Sequence, residues 1–235
     1  MRINWSKTLL FFILIMSIGI LYASNFKNKT RIINEVKVSI NPKSDYFISA
    51  DSVRSLVYEI VSYYKDSVDI LKIEKLIDSN TYVEKSQVFK TVGDQLKIVV
   101  KQKTPIARII TSDSIFYLDK NSNFMSLSDL HSVEVPIIFG YTELSDLDYL
   151  TKISLIIKND DFLNERISQI FINDKQNIGL KLRGYKTIVE IGNSKSLENK
   201  VKNLKAFYNR AFKKDEIGKY KKLNLQFDNQ VVGIK

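Results

Sequence analysis

The sequence has no cysteine and only one histidine, His131, among its 235 residues. The missing thiols exclude cysteine nucleophiles, cysteine zinc sites and disulfide bonds together. His131 lies in a polar loop, where a lone histidine is far more often a surface residue than a catalytic base. No serine–histidine–aspartate set, zinc-binding HExxH helix or glycine-rich phosphate loop can be written from this sequence. These absences predict a protein that is not an enzyme and that has no catalytic residue, cofactor or metal site.

One adjacent acidic pair needs a separate interpretation because paired carboxylates can act as acid and base. Asp160 and Asp161 are neighbours in the chain, so their side chains would point apart in a strand and diverge on a helix. A short acidic side chain at a helix boundary commonly accepts the free amide hydrogens of the first turn. We therefore expect the pair to end one helix or cap the next turn.

Hydrophobic residues make up 44% of the chain and charged residues 26%, which is typical of a sequence that folds. The length suits one membrane anchor and about two small domains. The formal net charge is +10, and nearly all of the surplus outside the first segment falls between Lys195 and Lys235. This surplus has two open interpretations: a solvated basic helix face, or a surface that attracts an acidic partner, anionic lipid or cell-wall polymer.

The first segment carries an uncharged apolar run from Leu9 to Ala23, with Trp5 and Tyr22 near its ends as interfacial aromatics. This run predicts a transmembrane helix within residues 1–26, with a short cytoplasmic tail before it. The alternative is a cleaved signal peptide, but bulky residues occupy the expected cleavage site. The prediction is a single-pass protein of the cytoplasmic membrane with its N-terminus inside and its later domains extracytoplasmic.

Residues 34–103 read as strand, helix, helix, strand, strand. Val36, Val38 and Ile40 alternate with polar residues as in a strand, and Ser49 can cap the helix that follows. That helix has one apolar face, formed by Val53, Leu56, Val57, Ile60, Val61 and Tyr64. Asp69 can cap the second helix, and Gly93-Asp94 separates two strand-like runs as in a hairpin. This βααββ order resembles a POTRA domain, a module that docks peptides and protein partners.

Residues 104–235 predict a mixed, mainly antiparallel β domain with flanking helices, which makes the whole chain α+β. Strands are expected at Ile167 to Ile172, Ile178 to Leu182, Thr187 to Ile191, Tyr220 to Phe227 and Val231 to Ile234. Helices are expected from Leu144 to Ile157, with Ser145 as a possible cap, and around Val201 to Ala211, whose Lys and Arg residues would face outward.

Several short motifs, in their order and spacing, resemble the FtsQ/DivIB family of bacterial cell-division proteins over essentially the whole chain. The motifs are Ile48-Ser49-Ala50-Asp51, Pro105-Ile106-Ala107-Arg108, Phe116-Tyr117-Leu118-Asp119, Val135 to Gly140, Thr187 to Gly192 and Leu223 to Val232. Three positions depart from the family pattern. Gln102 replaces a usual acidic residue, Ser122 replaces a turn glycine, and Gln226 replaces a common arginine.

The resemblance implies a non-catalytic scaffold of the divisome that binds the single-pass proteins FtsB and FtsL and helps to position and regulate the septal peptidoglycan synthase. It implies no small-molecule substrate, and the predicted location across a membrane argues against nucleic acid as a partner. Carried over to this sequence, the partner-binding residues are Phe227, Asn229, Gln230, Val231, Val232 and Gly233. They belong to a terminal strand, whose unpaired backbone groups suit the addition of a partner strand.

Two alternatives remain open from the sequence. A POTRA-bearing adaptor for protein export or outer-membrane assembly would share the first domain, although such proteins usually carry repeated units and a barrel. A cell-wall-acting enzyme or binder would share the predicted location and the basic charge. The terminal strand also has a plain alternative, since it could lie inside the sheet or fray.

Overall fold

The computed structural model describes residues 5–29, 33, 35–41, 47–63, 69–91, 93, 95–142, 145–173, 175, 177–193, 195–213, 216–227 and 230–235. The chain divides into two compact units, Met1–Gln102 and Lys103–Lys235. Helices and mixed sheets occur in both, so the fold class is α+β. Tyr64, Asp94, Leu144 and Asn229, which carried predictions, lie outside the described residues.

The first helix, α1, runs from Trp5 to Lys29. Among the residues that the structure describes, no helix is both long enough and apolar enough to cross a membrane. The predicted transmembrane anchor is therefore wrong, and with it the single-pass location in the cytoplasmic membrane. The uncharged run from Leu9 to Ala23 gives the physical reason, because its 15 residues extend about 22 Å, short of a hydrocarbon core of about 30 Å.

The rest of the first unit follows the predicted strand–helix–helix–strand–strand order. Its elements are β1 (Glu35–Asn41), α2 (Ala50–Tyr63), α3 (Ile70–Asp78), β2 (Val83–Lys90) and β3 (Gln95–Gln102). The Ser49 hydroxyl accepts the Ser52 amide at 2.9 Å, and the Asp69 carboxylate accepts the Lys72 amide at 3.3 Å, which confirms both predicted caps. The three strands lie in the order β1-β3-β2, with β1 parallel and β2 antiparallel to β3.

The core of the first unit forms where both helices cover one face of this sheet. Alternate residues of β3 point to that face, and Leu96, Ile98 and Val100 are fully buried there. Val53 and Val57 of α2 and Ile73 and Ile77 of α3 are also fully buried, at the spacing of one helix turn. At the end of β3, the Oε1 atom of Gln102 accepts the amides of Phe47 and Ile48 at 2.8 and 3.3 Å.

The second unit is a nine-stranded sheet with helices packed on it. Its strands are β4 (Pro105–Ile110), β5 (Ile115–Asp119), β6 (Phe124–Met125), β7 (Ile137–Phe139), β8 (Ile167–Ile172), β9 (Ile178–Leu182), β10 (Ile188–Gly192), β11 (Lys222–Asn224) and β12 (Val232–Ile234). Its helices are α4 (Leu147–Lys158), α5 (Asp161–Arg166) and α6 (Leu197–Lys213), with a 3-10 turn at Ile217–Lys219. The predicted strands Ile167 to Ile172 and Ile178 to Leu182 are confirmed with their bounds unchanged.

The strand order β12-β11-β10-β9-β8-β7-β4-β5-β6 places β12 at one edge of the sheet and β6 at the other. The sheet is mixed, with parallel pairs at β10/β11, β8/β7 and β7/β4. One row of register partners crosses six strands and is almost completely buried: Ile109, Ile138, Ile170, Leu180, Val189 and Leu223. Apolar side chains of α4 and α6 cover this row, so the helices lie on one face of the sheet.

Three local predictions need correction. The cap of α4 is Asp146, whose carboxylate accepts the Tyr149 amide at 2.9 Å, whereas the Ser145 hydroxyl accepts the amide of Thr142. The penultimate strand covers only Lys222–Asn224. Leu225 makes a last bond to the Glu190 carbonyl of β10, and the next amide, that of Gln226, donates to the Asn224 side chain at 2.8 Å, which turns the chain out of the sheet. Lys200 of α6 does not face outward but is buried.

The buried ammonium of Lys200 donates to the carbonyl of Asn193 at 3.0 Å. Asp160 caps α5 by accepting the Leu163 amide at 3.1 Å, which confirms a capping role for this residue.

Candidate partner-binding edge

The terminal strand β12 forms an edge of the nine-stranded sheet. It pairs antiparallel with β11, so that Lys222 lies opposite Ile234, Leu223 opposite Gly233 and Asn224 opposite Val232. The strand holds its place by few contacts, because it is three residues long and all of them are exposed. In the described part of the chain, no further strand pairs with its other side. Such an edge is a surface that another strand can extend.

Hydrogen bonds of β11 show which backbone groups of β12 face outward. Lys221 accepts the amide of Ile188, and Leu225 donates to Glu190, so the backbone groups of Leu223 between them face β10. Alternate residues of a strand direct these groups to opposite edges. The backbone groups of Lys222 and Asn224 therefore face β12. Those of their register partners, Ile234 and Val232, face β11 in return. This leaves the amide and carbonyl of Gly233 directed away from the sheet.

Gly233 occupies a position where only a glycine fits without movement. A Cβ atom built on it would lie 2.6 Å from both Cδ1 and Cε1 of the Tyr220 ring, far inside ordinary carbon contact. The ring is held in place because Phe207 of α6 packs edge-on against it, with centroids 5.4 Å apart. The carbonyl of Tyr220 also accepts the Thr187 hydroxyl at 2.7 Å. The missing side chain of Gly233 therefore lets β12 lie directly against this ring.

The side chains beside the open backbone groups are apolar and exposed. Val232 and Ile234 alternate with Gly233, so both point to the face opposite the helices, with exposed fractions of 38% and 48%. Ile188 of β10 lies in the same register row as Ile234 and is 38% exposed. Phe227, in the bend before residue 228, is 51% exposed. A strand added at this edge would find apolar neighbours on that face.

A shallow depression of about 140 Å³ continues this apolar surface away from the edge. The Phe171 ring lies over Gly179, which has no side chain to fill the space, and Ile188 and Gln226 form part of the wall. The depression is open to solvent on the face that carries Val232 and Ile234.

Charges around the edge are partly neutralised within the unit. Lys222 pairs with Glu190 at 2.7 Å, and Lys205 of α6 donates to Asp160 at 2.5 Å. This hydrogen bond from Lys205 lowers the pKa of the Asp160 carboxyl below its usual range. Exposed positive side chains remain on the surface near the edge and along α6: Lys202, Arg210, Lys221 and Lys235. Part of the basic surplus therefore stabilises the fold, and part faces solvent.

The structure brings together some of the sequence-predicted site residues and separates others. Val232 and Gly233 lie in the edge strand, and Gln230 is exposed just before it. Val231 is partly buried and packs against the core, so its side chain supports the strand instead of facing a partner. Phe227 is exposed but precedes the strand by several residues. Asn229 lies outside the described residues.

Sequence reasoning left Tyr220, Ile188 and Ile234 out of the predicted site residues. Ile234 could have been found from its alternation with Val232. Ile188 and Tyr220 gave no local signal, because their proximity to the edge depends on strand pairing and on a turn. Among the described residues, no group of three His, Cys, Asp or Glu side chains could hold a metal ion.

Comparison with protein families adds an independent line of argument. The model of a family described as "FtsQ/DivIB, C-terminal related" matches residues 104–234, which is more than half of the chain. The match therefore covers all nine strands of the second unit, including the edge strand. No curated protein matches the chain.

Proposed function

The chain belongs to the FtsQ/DivIB C-terminal related family of cell-division proteins, and on this premise we propose that it is a divisome scaffold that captures a partner strand at the β12 edge. Family membership gives the chain a role in cell division, within a family that is non-enzymatic and associated with the division septum. It also implies contacts with other proteins of the division machinery in general. The proposed contact surface is the β12 edge, and its proposed partner is a second division protein.

The proposed partner is an FtsB/FtsL-type pair, one of whose segments adds an antiparallel strand to β12. The observation that carries this proposal is the outward-facing amide and carbonyl of Gly233 between two exposed apolar side chains, Val232 and Ile234. A partner segment with apolar residues at alternate positions would extend the sheet and cover both side chains. Exposed cations close to the strand, among them Lys221 and Lys235, favour a segment that also carries acidic residues.

The first unit has a separate part in the proposal. We assign residues 34–103 to a POTRA-like docking domain and residues 104–235 to an FtsQ-type β domain. The support for the first assignment is the βααββ order, with two helices covering one face of a three-stranded sheet. With both domains engaged, the chain would hold its partners at the septum and thereby help to position and regulate the peptidoglycan synthase without chemistry of its own.

The test is to measure binding of the purified FtsB/FtsL-type pair from the same organism to the full chain and to two edge variants. Gly233→Pro removes the outward amide and also sets its ring against Tyr220, so it displaces β12 as well. Ile234→Lys places a charge where a packed side chain is expected and leaves the Gly233 amide in place. Loss of one hydrogen bond and its neighbouring contacts should weaken binding about tenfold or more. Ile115→Lys is the matched control, because Ile115 is also 48% exposed but lies toward the far end of the same sheet.

Each outcome has a distinct meaning. Weakened binding by both edge variants with the control unchanged supports capture at β12. Equal binding by all four chains would keep the scaffold function and remove the edge from it. Absence of binding by the unaltered chain would refute the proposed partner.

A further inference from the structure

The sheet of the first unit has an edge of its own, formed by β2. In the order β1-β3-β2, only one side of β2 is paired with another described strand. Two outward amides of this strand nevertheless have acceptors within the unit. The carboxylate of Asp78 accepts the amide of Ser86 at 2.6 Å, and the carboxylate of Glu74 accepts the amide of Val88 at 2.7 Å.

Both acceptors come from α3, and their spacing explains how one helix can cover a strand edge. Glu74 and Asp78 are four residues apart, a rise of about 6 Å along a helix. Ser86 and Val88 are two residues apart, about 6.7 Å along a strand. The two repeats nearly match, so side chains from one helix face meet consecutive outward amides. The Ser86 hydroxyl adds a third contact by donating to the Glu74 carbonyl at 3.3 Å.

We infer that Glu74 and Asp78 form a clamp that closes the β2 edge against pairing with β2 of a second copy of this chain. The clamp is the pair of hydrogen bonds from Ser86 and Val88 to these two carboxylates. The inference does not depend on the proposed partner at β12, because it concerns the other unit.

The sequence of β2 indicates why the strand to be excluded is β2 of a second copy. An antiparallel pair of β2 strands with its two-fold axis at Gln87 places Lys85 opposite Phe89. A lysine therefore faces an aromatic ring twice. In the same register Ser86 lies opposite Val88, and the two residues would exchange the same outward amides that the carboxylates now occupy.

This register gives a direct test, because the chain has no cysteine of its own. Gln87→Cys in the full chain would place two thiols directly opposite each other across the two-fold axis. A non-hydrogen-bonded antiparallel pair has Cα atoms about 4.5 Å apart, within disulfide reach. Lys85→Cys is the matched control, since Lys85 is also exposed on β2 but would lie opposite Phe89 and away from its own copy.

Disulfide formation is measured for each cysteine variant in three backgrounds. The first has the clamp intact, the second (the alanine background) carries both Glu74→Ala and Asp78→Ala, and the third carries both Glu74→Gln and Asp78→Asn. Amide side chains still offer an acceptor oxygen, so the third background should stay closed. One charge-assisted hydrogen bond at the lower end of its usual strength changes an equilibrium about tenfold. We therefore expect at least about tenfold more Gln87→Cys dimer in the alanine background than in the other two, and no such rise for Lys85→Cys.

Equal dimer yields in all three backgrounds, or equal yields from the two cysteine positions, would overturn the inference. A second measurement serves if the alanine background does not fold. Amide hydrogen exchange on the unaltered chain should find Ser86 and Val88 protected although they lie at an edge. Glu74→Ala alone should release Val88 and leave Ser86 protected. Rapid exchange of both amides in the unaltered chain would refute the clamp.

Discussion

Replacement of Gly233 by alanine tests whether the Tyr220 ring determines how the edge strand docks. The new Cβ would lie 2.6 Å from two ring carbons, where carbon atoms in contact are about 3.5 to 4.0 Å apart. Either the ring or the strand must move by about 1 Å. The ring is confined by Phe207 and by the hydrogen bond from Thr187 to the Tyr220 carbonyl. We therefore expect β12 to move.

The magnitude follows from the usual cost of overpacking, about 1 to 3 kcal/mol. Only three register pairs hold β12, so this cost should appear as local opening of the strand and not as unfolding of the unit. A free-energy change of that size raises the open population by about 5-fold to 150-fold. The amides of Val232 and Ile234, which face β11, should exchange with solvent faster by that factor.

The assay is native-state amide hydrogen exchange, with unfolding by urea as the measure of global stability. Val232→Ala is the control, because this exposed side chain points away from Tyr220 and its truncation should change stability by less than about 0.5 kcal/mol. Gly233→Ala should also destabilise β12 less in a Tyr220→Ala background, where the ring is absent. Unchanged exchange at β12 in Gly233→Ala, or an equal loss of stability with and without the ring, would show that Tyr220 does not constrain the strand.

Two further predictions concern single side chains. Gln102→Ala should destabilise the first unit by about 1 to 3 kcal/mol in urea unfolding, because the amides of Phe47 and Ile48 lose their acceptor, whereas Gln102→Glu keeps an acceptor and should cost less. Because Lys205 lowers the pKa of folded Asp160, this ion pair stabilises the fold above the unfolded pKa of about 3.9, and its contribution is lost as pH falls through the folded pKa. Asp160→Asn, which can still cap α5, should be less stable than the unaltered chain at pH 7, and the difference should shrink as pH falls below the unfolded pKa; a stability difference that did not vary with pH would contradict the ion pair.

Family-pattern departures noted in the sequence now have a partial physical account. Ser122 occupies a backbone conformation with φ of 62°, the left-handed region in which glycine is favoured. Its hydroxyl lies 2.8 Å from that of Thr151, a contact that glycine could not make. Gln226 packs against Gly192, whose missing Cβ leaves room for the Gln226 side chain.

Much of the fold could be predicted from the sequence, because helices and buried strands leave a local pattern. The apolar period of Val201 to Ala211 predicts the buried face of α6, and alternation predicts β9 with its bounds unchanged. Composition misled in two places. The apolar run of α1 invited a transmembrane prediction that the described helix does not satisfy. The basic content of α6 concealed the burial of Lys200, since a charge pattern does not reveal a nearby carbonyl such as that of Asn193.

The order of the elements, the buried faces of the helices and the apolar alternation of the terminal strand follow from local residue patterns. Periodicity is a property of neighbouring residues, and it remains readable before the chain folds. Which strands have open edges depends on the three-dimensional fold. It placed β12 at the end of nine strands with Gly233 under the Tyr220 ring, and it set Glu74 and Asp78 against the outward amides of β2. Strand order and side-chain contacts of this kind join residues distant in the chain, and their energies depend on distances that no local pattern records.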